Sequence, residues 1–275
     1  MSSILNFVIT RFNLRAADDP GIRQLNPVWL ERRFELFDQF CFPTVRSQTF
    51  QDFEWLVLFD SATPAMYRDR IDEYANWKNF VPIYYPPGTE QVGRKAVRTR
   101  IKVFPDLLVT TRLDNDDGIC RNFIESVQAH VRVSEPTVIE FPVGYVWHKN
   151  RIYRDRQLHN PFTSLVEPLY GRSDIDFRTI YSGSHTDASK LGGVVIVAER
   201  PSWLQVIHEG NLENRERGIR CGMRELSNDF AIKPPEPMAR ENWILLHLDK
   251  AFTTLRTTAL KYSHHIRSKL YARRL

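Results

Sequence analysis

The sequence predicts an α/β protein built on a mostly parallel sheet. Two observations carry that expectation. Short apolar runs alternate with segments of helical periodicity through about residue 132. Two of the runs end in acids, at Asp60 and at Asp114-Asn115-Asp116-Asp117, and open α/β sheets place their ligands at such strand ends. A chain of 275 residues with 42% hydrophobic content is long enough for a full core.

The elements follow in order. Ile4 to Thr10 reads as a first buried strand, with Arg11, Phe12 and Asn13 at its end. Asp18-Asp19-Pro20-Gly21 marks a loop. Asn26-Pro27 opens a helix, a cap residue followed by proline at the first helical position. Leu30, Phe34, Phe37 and Cys41 then recur at helical spacing, and Pro43 closes or restarts the helix. Glu54 to Asp60 is a second strand, and Thr63-Pro64 opens a helix to about Trp77. Phe80 to Tyr85 is a third strand, stopped by Pro86-Pro87-Gly88. A helix around Gln91 to Phe104 carries Arg94, Lys95, Arg98, Arg100 and Lys102. Leu107 to Leu113 leads into the acidic cluster, and a helix covers about Arg121 to Arg132.

Beyond this point the pattern changes. Short strands are expected at Thr137 to Phe141, Gly144 to His148, Arg151 to Arg154 and Val194 to Ala198. Residues 155–190 read as loop, Pro201 as the start of a helix through about Glu209, and residues 210–237 as charged surface loops. The last segment, 251–275, repeats Phe252, Leu255, Ala259, Tyr262, Ile266 and Leu270 on one helical face. It adds Arg256, Lys261, Arg267, Lys269, Arg273 and Arg274 with no acid to offset them. Such a helix either lies on an anionic membrane or docks on the protein with a solvated basic face. The expected organisation is 1–250 as one unit, with a ligand-binding half over 1–132 and a second half over 133–250, followed by the basic helix 251–275.

Net charge is +5, which favours polyanionic partners. The three cysteines are far apart and form no disulfide framework or zinc spacing. The apolar run Ile4 to Ile9 is too short for a signal-peptide core, and Arg11 interrupts it. No stretch reaches the ~18 apolar residues of a membrane span. The expectation is therefore a soluble, cytoplasmic protein, peripheral at most on the inner face of a membrane.

Three carboxylates within four positions repel one another. They persist together when a hard cation such as Mg²⁺ or Mn²⁺ neutralises them, often with phosphate oxygens completing its shell. The alternative is a solvated acidic turn. A calcium-loop reading fails, because Gly118 is fifth from Asp114 and no Glu follows at the required distance. Arg112 lies inside the strand and needs a charge partner if buried. His247, within Trp243-Ile244-Leu245-Leu246-His247-Leu248, is a candidate late metal ligand or a hydrogen-bonded core histidine. His208-Glu209 and His264-His265 support no metal assignment from sequence.

Three segments now stand in the order of one known architecture. Ile9-Thr10-Arg11-Phe12-Asn13 resembles the opening strand and Tyr-Asn turn of family-2-like inverting glycosyltransferases of the GT-A fold, and within these the bacterial rhamnosyltransferase group. Ser47-Gln48-Thr49-Phe50-Gln51-Asp52-Phe53-Glu54 is similar to that group's approach to its second strand, which ends here in Asp60. Leu113-Asp114-Asn115-Asp116-Asp117 resembles its Leu-Asp-x-Asp-Asp metal motif. The likeness covers about residues 4–132. It departs after the second strand, where Phe59-Asp60-Ser61-Ala62 stands in place of two acids and Gly-Ser.

The resemblance implies a nucleoside-diphosphate sugar as donor, with rhamnose as the sugar on family grounds alone, and a glycan or glycolipid as acceptor. It implies a divalent metal, Mn²⁺ or Mg²⁺, held by Asp114, Asp116 and Asp117, with one acid able to bond the ribose instead. Thr10, Arg11, Phe12 and Asp60 are expected around the base and ribose, and Arg94 and Arg98 near the donor. The general base of an inverting enzyme is expected well after the metal motif. Asp229, in Asn228-Asp229-Phe230, is the best match, with Glu209, Glu213 and Asp187 as competitors. Two rival classes are a Mg²⁺-dependent phosphohydrolase or phosphotransferase and a non-catalytic nucleic-acid module. The first lacks a G-x-x-x-x-G-K-[ST] loop. The second should show a basic, aromatic face without a central acid cluster, so no nucleic acid is expected as partner.

Overall fold

The computed structural model describes residues 3–17, 19, 23–131, 135–170, 176–183, 187, 190–209, 217–232 and 243–272, with side chains of the last helix described through residue 258. Twelve strands occur among them: β1 (Ile4–Arg11), β2 (Glu54–Asp60), β3 (Phe80–Tyr85), β4 (Leu107–Arg112), β5 (Gly118–Ile119), β6 (Thr137–Glu140), β7 (Val143–His148), β8 (Arg151–Arg156), β9 (Thr163–Pro168), β10 (Gly193–Ile196), β11 (Trp203–Ile207) and β12 (Ile219–Cys221). A seven-stranded sheet runs β10-β6-β9-β4-β1-β2-β3, and a five-stranded sheet runs β12-β8-β7-β11-β5. In the larger sheet β1 is parallel to both β2 and β4, and β2 to β3. This is the expected mostly parallel α/β sheet. Its central strands are buried on both faces, with Trp55 through Asp60 of β2 buried without a break, while the edge strands β3 and β10 are more open.

The helices flank it as α1 (Pro27–Leu36), α2 (Phe42–Arg46), α3 (Arg68–Ala75), α4 (Val92–Arg100), α5 (Phe123–Ala129), α6 (Met223–Asp229) and α7 (Trp243–Ala272). Asn26 caps α1, accepting hydrogen bonds from the backbone N–H of Val28 at 2.9 Å and Trp29 at 3.2 Å. The helix does not stop at Leu36. It widens into a π-helical stretch, Phe37–Cys41, and resumes as α2 with Pro43 in its first turn. Phe34 and Phe37 thereby reach an aromatic core with Phe12, Trp55, Tyr74 and Phe80. Trp55 donates its indole N–H to Thr10 Oγ1 at 2.9 Å inside that core.

Three expectations need correction. Residues 155–190 contain β9, which is antiparallel to both β4 and β6 and joins them in the sheet. Its polar side chains hid it, because their partners are remote. Ser164 shares a hydrogen bond with Thr111 at 2.7 Å, and Glu167 pairs with Arg178 at 3.0 Å. The segment after Pro201 is the strand β11, not a helix. Its aromatic and branched residues pack it parallel to β7, and proline only precedes it. Within 210–237, β12 and α6 replace the expected loops. The last helix also begins earlier than expected, at Trp243. Glu213, Arg273 and Arg274 lie outside the described residues.

Trp203 organises the join between the two sheets. It is fully buried, stacks on Phe162 at 5.1 Å and donates to Phe141 O at 2.7 Å. Its indole lies flat on Gly144 of β7, where any Cβ would collide with the ring. Gly144→Ala should therefore destabilise the protein by about 1–3 kcal/mol. A urea titration should show a lower midpoint with an unchanged slope. An unmoved midpoint would mean that the ring does not rest on this glycine.

Candidate active site

The acidic cluster follows β4 in a tight turn. Leu113 N–H still bonds Ile9 O at 3.2 Å, and Asp117 N–H closes on Asp114 O at 3.3 Å. Beside this turn a cavity of about 840 Å³ opens at the C-terminal ends of β1 and β4. Arg11, Phe12 and Asn13 form one wall, Trp29 and Arg33 of α1 another. Gln157, His159, Gln205 and Arg217 close it from the second half of the chain. Five arginines line it against three aspartates, so its lining is net positive even with every aspartate ionised. That suits an anionic ligand.

Each acid solves its burial differently. Asp117 is 4% exposed, and its Oδ1 accepts the Val206 N–H at 2.9 Å. Burial, reinforced by the charges of Asp116 and Asp114, pushes its carboxyl well above the usual range. Asp116 is 8% exposed and receives Arg33 Nη1 at 2.5 Å and His208 Nε2 at 2.8 Å on Oδ2. Burial pushes its carboxyl up, but the His208 bond and the Arg33 charge outweigh that and hold it below the usual value. Asn115 donates to Phe12 O at 2.7 Å, tying the turn to the end of β1. Asp114 keeps 35% of its side chain exposed and meets Arg112 at 3.3 Å. The charge partner expected for Arg112 is thus an acid of the cluster. The Arg112 and Arg11 guanidiniums both lie over the Tyr181 ring, at 5.5 and 5.0 Å.

The structure brings together Arg11, Phe12, Asp114, Asp116 and Asp117 of the expected residues. It leaves six elsewhere. Thr10 is fully buried beneath Trp55. Asp60 is also fully buried, clamped by Arg15 Nε at 2.8 Å and Nη2 at 3.1 Å and by the Ala62 N–H at 2.8 Å. It touches the cavity only through Asn13, whose Oδ1 accepts the Asp60 N–H at 3.1 Å. Arg94 pairs with Asp176 at 3.0 Å, and Arg98 lies over Phe104, both outside the cavity lining. Asp229 ends α6, where its carbonyl accepts the Arg121 N–H at 2.9 Å. His247 is exposed on α7 and is not in the cavity lining, so the helix carries it away from the acids.

Arg33 and His208 were missed. Both stand more than eighty residues from Asp116, at 83 and 92 positions, and neither carries a local signal. Among the described residues no three His, Cys, Asp or Glu side chains converge on one point. Two potential donors stand side by side, Asp116 Oδ2 and His208 Nε2, 2.8 Å apart. That number fits a Mg²⁺- or Mn²⁺-type ion that takes its remaining ligands from substrate phosphates and water. Asp117, turned onto Val206, and His247, exposed on α7, do not belong to this donor pair.

Comparison with solved structures finds distant likenesses. S. aureus TarS 1-349 is 12% identical with a TM-score of 0.45, covering 74% of this chain and 60% of that one. The same protein in complex with UDP is 11% identical with a TM-score of 0.46 and the same coverage. The inositol-1-phosphate CTP transferase from T. maritima is 11% identical with a TM-score of 0.37, covering 78% of this chain and 94% of that one. The chain thus spans about 60% of the length of the S. aureus fragment. No curated protein matches it. The family described as "Putative rhamnosyl transferase" matches residues 22–220, well over half of the sequence, and the chain belongs to that family.

Proposed function

We propose that the protein is a GT-A-like inverting glycosyltransferase. It moves a sugar, rhamnose on family grounds, from a nucleoside diphosphate to a hydroxyl of a glycan or glycolipid. The observation that carries this reading is the net-positive cavity at the ends of β1 and β4, with an acid cluster at its floor. A leaving diphosphate needs stabilisation as its charge grows. Arg11, Arg33, Arg112 and Arg217 surround the space where it would sit. Arg11, Phe12 and Asn13 offer a wall for the base and ribose. A divalent ion, held by Asp116 and His208, would add Lewis-acid stabilisation of the phosphate oxygens. Asp114, the most exposed acid of the cluster, is available to a ribose hydroxyl or to that ion.

The acceptor side supports a lipid-linked or surface-bound glycan. The helix α7 docks on the protein through its polar face. Thr253 Oγ1 accepts the Arg220 N–H at 2.9 Å, and Thr257 donates to Gly218 O at 3.4 Å. Its other face carries Leu248, Phe252 and Leu255, which are 62–72% exposed. The sequence continues this spacing through Ala259, Tyr262, Ile266 and Leu270 with basic residues between. No helix among the described residues is long and apolar enough to cross a membrane. Peripheral contact with an anionic bilayer fits both the stripe and the charge.

A thermal-shift panel of nucleoside diphosphates, with and without Mn²⁺, tests the donor site. One nucleotide should stabilise the protein, by about 2.7 kcal/mol at a hundred times its Kd, and Mn²⁺ should enlarge the shift. No stabilisation by any of them would remove the donor assignment. Asp116→Asn leaves Arg33 and His208 without their carboxylate. It should cost roughly 3 kcal/mol of stability and abolish the Mn²⁺-dependent part of the shift along with transfer. Undiminished turnover in this variant would take the acid out of the chemistry. Replacing Leu248, Phe252 and Leu255 together with Ser should release the protein from phosphatidylserine vesicles in a flotation assay. Equal flotation of both forms would sink the membrane contact.

A further inference from the structure

An inverting transfer needs a base at the acceptor hydroxyl, and the cavity offers one outside the acid cluster. His159 lies in the loop after β8 and lines the cavity together with Asp114 and Asp116. Its Nδ1 stands 3.0 Å from Glu140 Oε1, and its backbone N–H reaches Glu140 Oε2 at 3.5 Å. Glu140 ends β6 with 2% of its side chain exposed, whereas His159 keeps 51%. A carboxylate oxygen accepts, so Nδ1 carries the hydrogen and Nε2 is the ring nitrogen left with a lone pair.

The loop holds this arrangement under constraint. His159 sits at φ +55°, a left-handed conformation uncommon for residues other than Gly and best tolerated after it by Asn, Asp and His. Asn160 anchors the next position, donating to Phe141 O at 2.8 Å and Gln157 O at 2.9 Å and accepting the Phe162 N–H at 2.9 Å. Gln157 N–H bonds Pro142 O at 2.8 Å. Backbone strain held by such a net of bonds marks positions where geometry matters. Two acids of the lining are committed, Asp116 to Arg33 and His208 and Asp117 to the Val206 N–H, and Asp114, beside Arg112, is assigned to the donor side.

We propose that His159 is the general base of the transfer and that Glu140 positions its imidazole. The inference rests on the glycosyltransferase reading. The acceptor O–H gives its proton to Nε2 as the acceptor oxygen forms a bond to the anomeric carbon. The bond from that carbon to the diphosphate oxygen breaks on the opposite face, and its electron pair leaves with the diphosphate. The imidazolium then returns its proton to water.

The test uses variants matched to the left-handed backbone. His159→Gly and His159→Asn both tolerate φ +55°. Each should bind nucleoside diphosphate with an unchanged thermal shift while kcat falls by about 10²- to 10⁴-fold. Added imidazole should restore part of the rate to His159→Gly. Glu140→Gln should lower kcat by about tenfold with the donor KM unchanged, and the double variant should be no slower than His159→Gly alone. A His159→Gly protein that binds donor and keeps the wild-type kcat overturns the assignment. So does one that binds donor, is slow, and ignores imidazole. Additive losses in the double variant would remove Glu140 from the role. A wild-type protein that binds no nucleoside diphosphate overturns the underlying reading instead, a result distinct from these.

Discussion

Crowded negative charge in one turn is the constraint from which much of this architecture follows. Asp116 and Asp117 are adjacent and both almost fully buried, and two ionised carboxylates in that setting would repel strongly. The chain meets the problem with groups from distant elements. Arg33 comes from α1, His208 from just past β11, and the Val206 N–H from within β11 itself. The turn is consequently the point where the larger sheet, the first helix and the second sheet are held to one another. A buried acid that lost its partner would cost more than an ordinary surface ion pair contributes. The three elements are therefore locked in register at the place where a ligand can enter.

A second tie runs beneath the first and explains why two remote motifs occur together. Gln48 donates Nε2 to Thr44 O at 2.9 Å and Cys120 O at 2.7 Å, while its Oε1 accepts the Ile124 N–H at 3.0 Å. Only an amide supplies donors and an acceptor at once, so Glu could not make all three bonds. Thr49 extends the clamp through its backbone N–H to Arg121 O at 2.8 Å and its hydroxyl to Glu125 at 2.7 Å. The Gln-Thr pair thus fastens the end of α2 to the segment that follows the acidic turn. The π-helical stretch before α2 brings Cys41 Sγ within 3.6 Å of Asp114 O from the other side.

What the sequence made legible was local. Continuous apolar runs marked β1 to β4, Asn26-Pro27 marked the start of α1, and three acids in four positions marked the floor of the cavity. What stayed hidden depended on distance. The strand β9 buries polar side chains whose partners come from β4 and from Arg178, so its own pattern looks like loop. Proline ahead of β11 imitated a helix start, and only pairing with β7 decided the matter. Asp60 misled for the opposite reason. Its place at a strand end was correctly read, but Arg15 lies forty-five residues earlier and closes over it. Arg33 and His159 reach the cavity, and His208 reaches Asp116, by tertiary packing alone.

The division of labour in the cavity follows from that packing. The first 117 residues supply the wall at Arg11 to Asn13, the arginines of α1 and β4, and the acids. The second half brings His159, Gln205 and Arg217 to the opposite side. The two halves meet through β4 and β9 on one flank and through β5 and β11 on the other. Any group bound to the arginines at the end of β1 and β4 is thereby presented to side chains of the later half. Gln205 and Arg217 bond each other, and Arg217 also pairs with Asp155 of β8 at 2.8 Å. That link ties Arg217 to β8 and β11 on the far wall. A transfer reaction requires such an arrangement, since the reacting atoms must be held in line between two surfaces that do not drift apart.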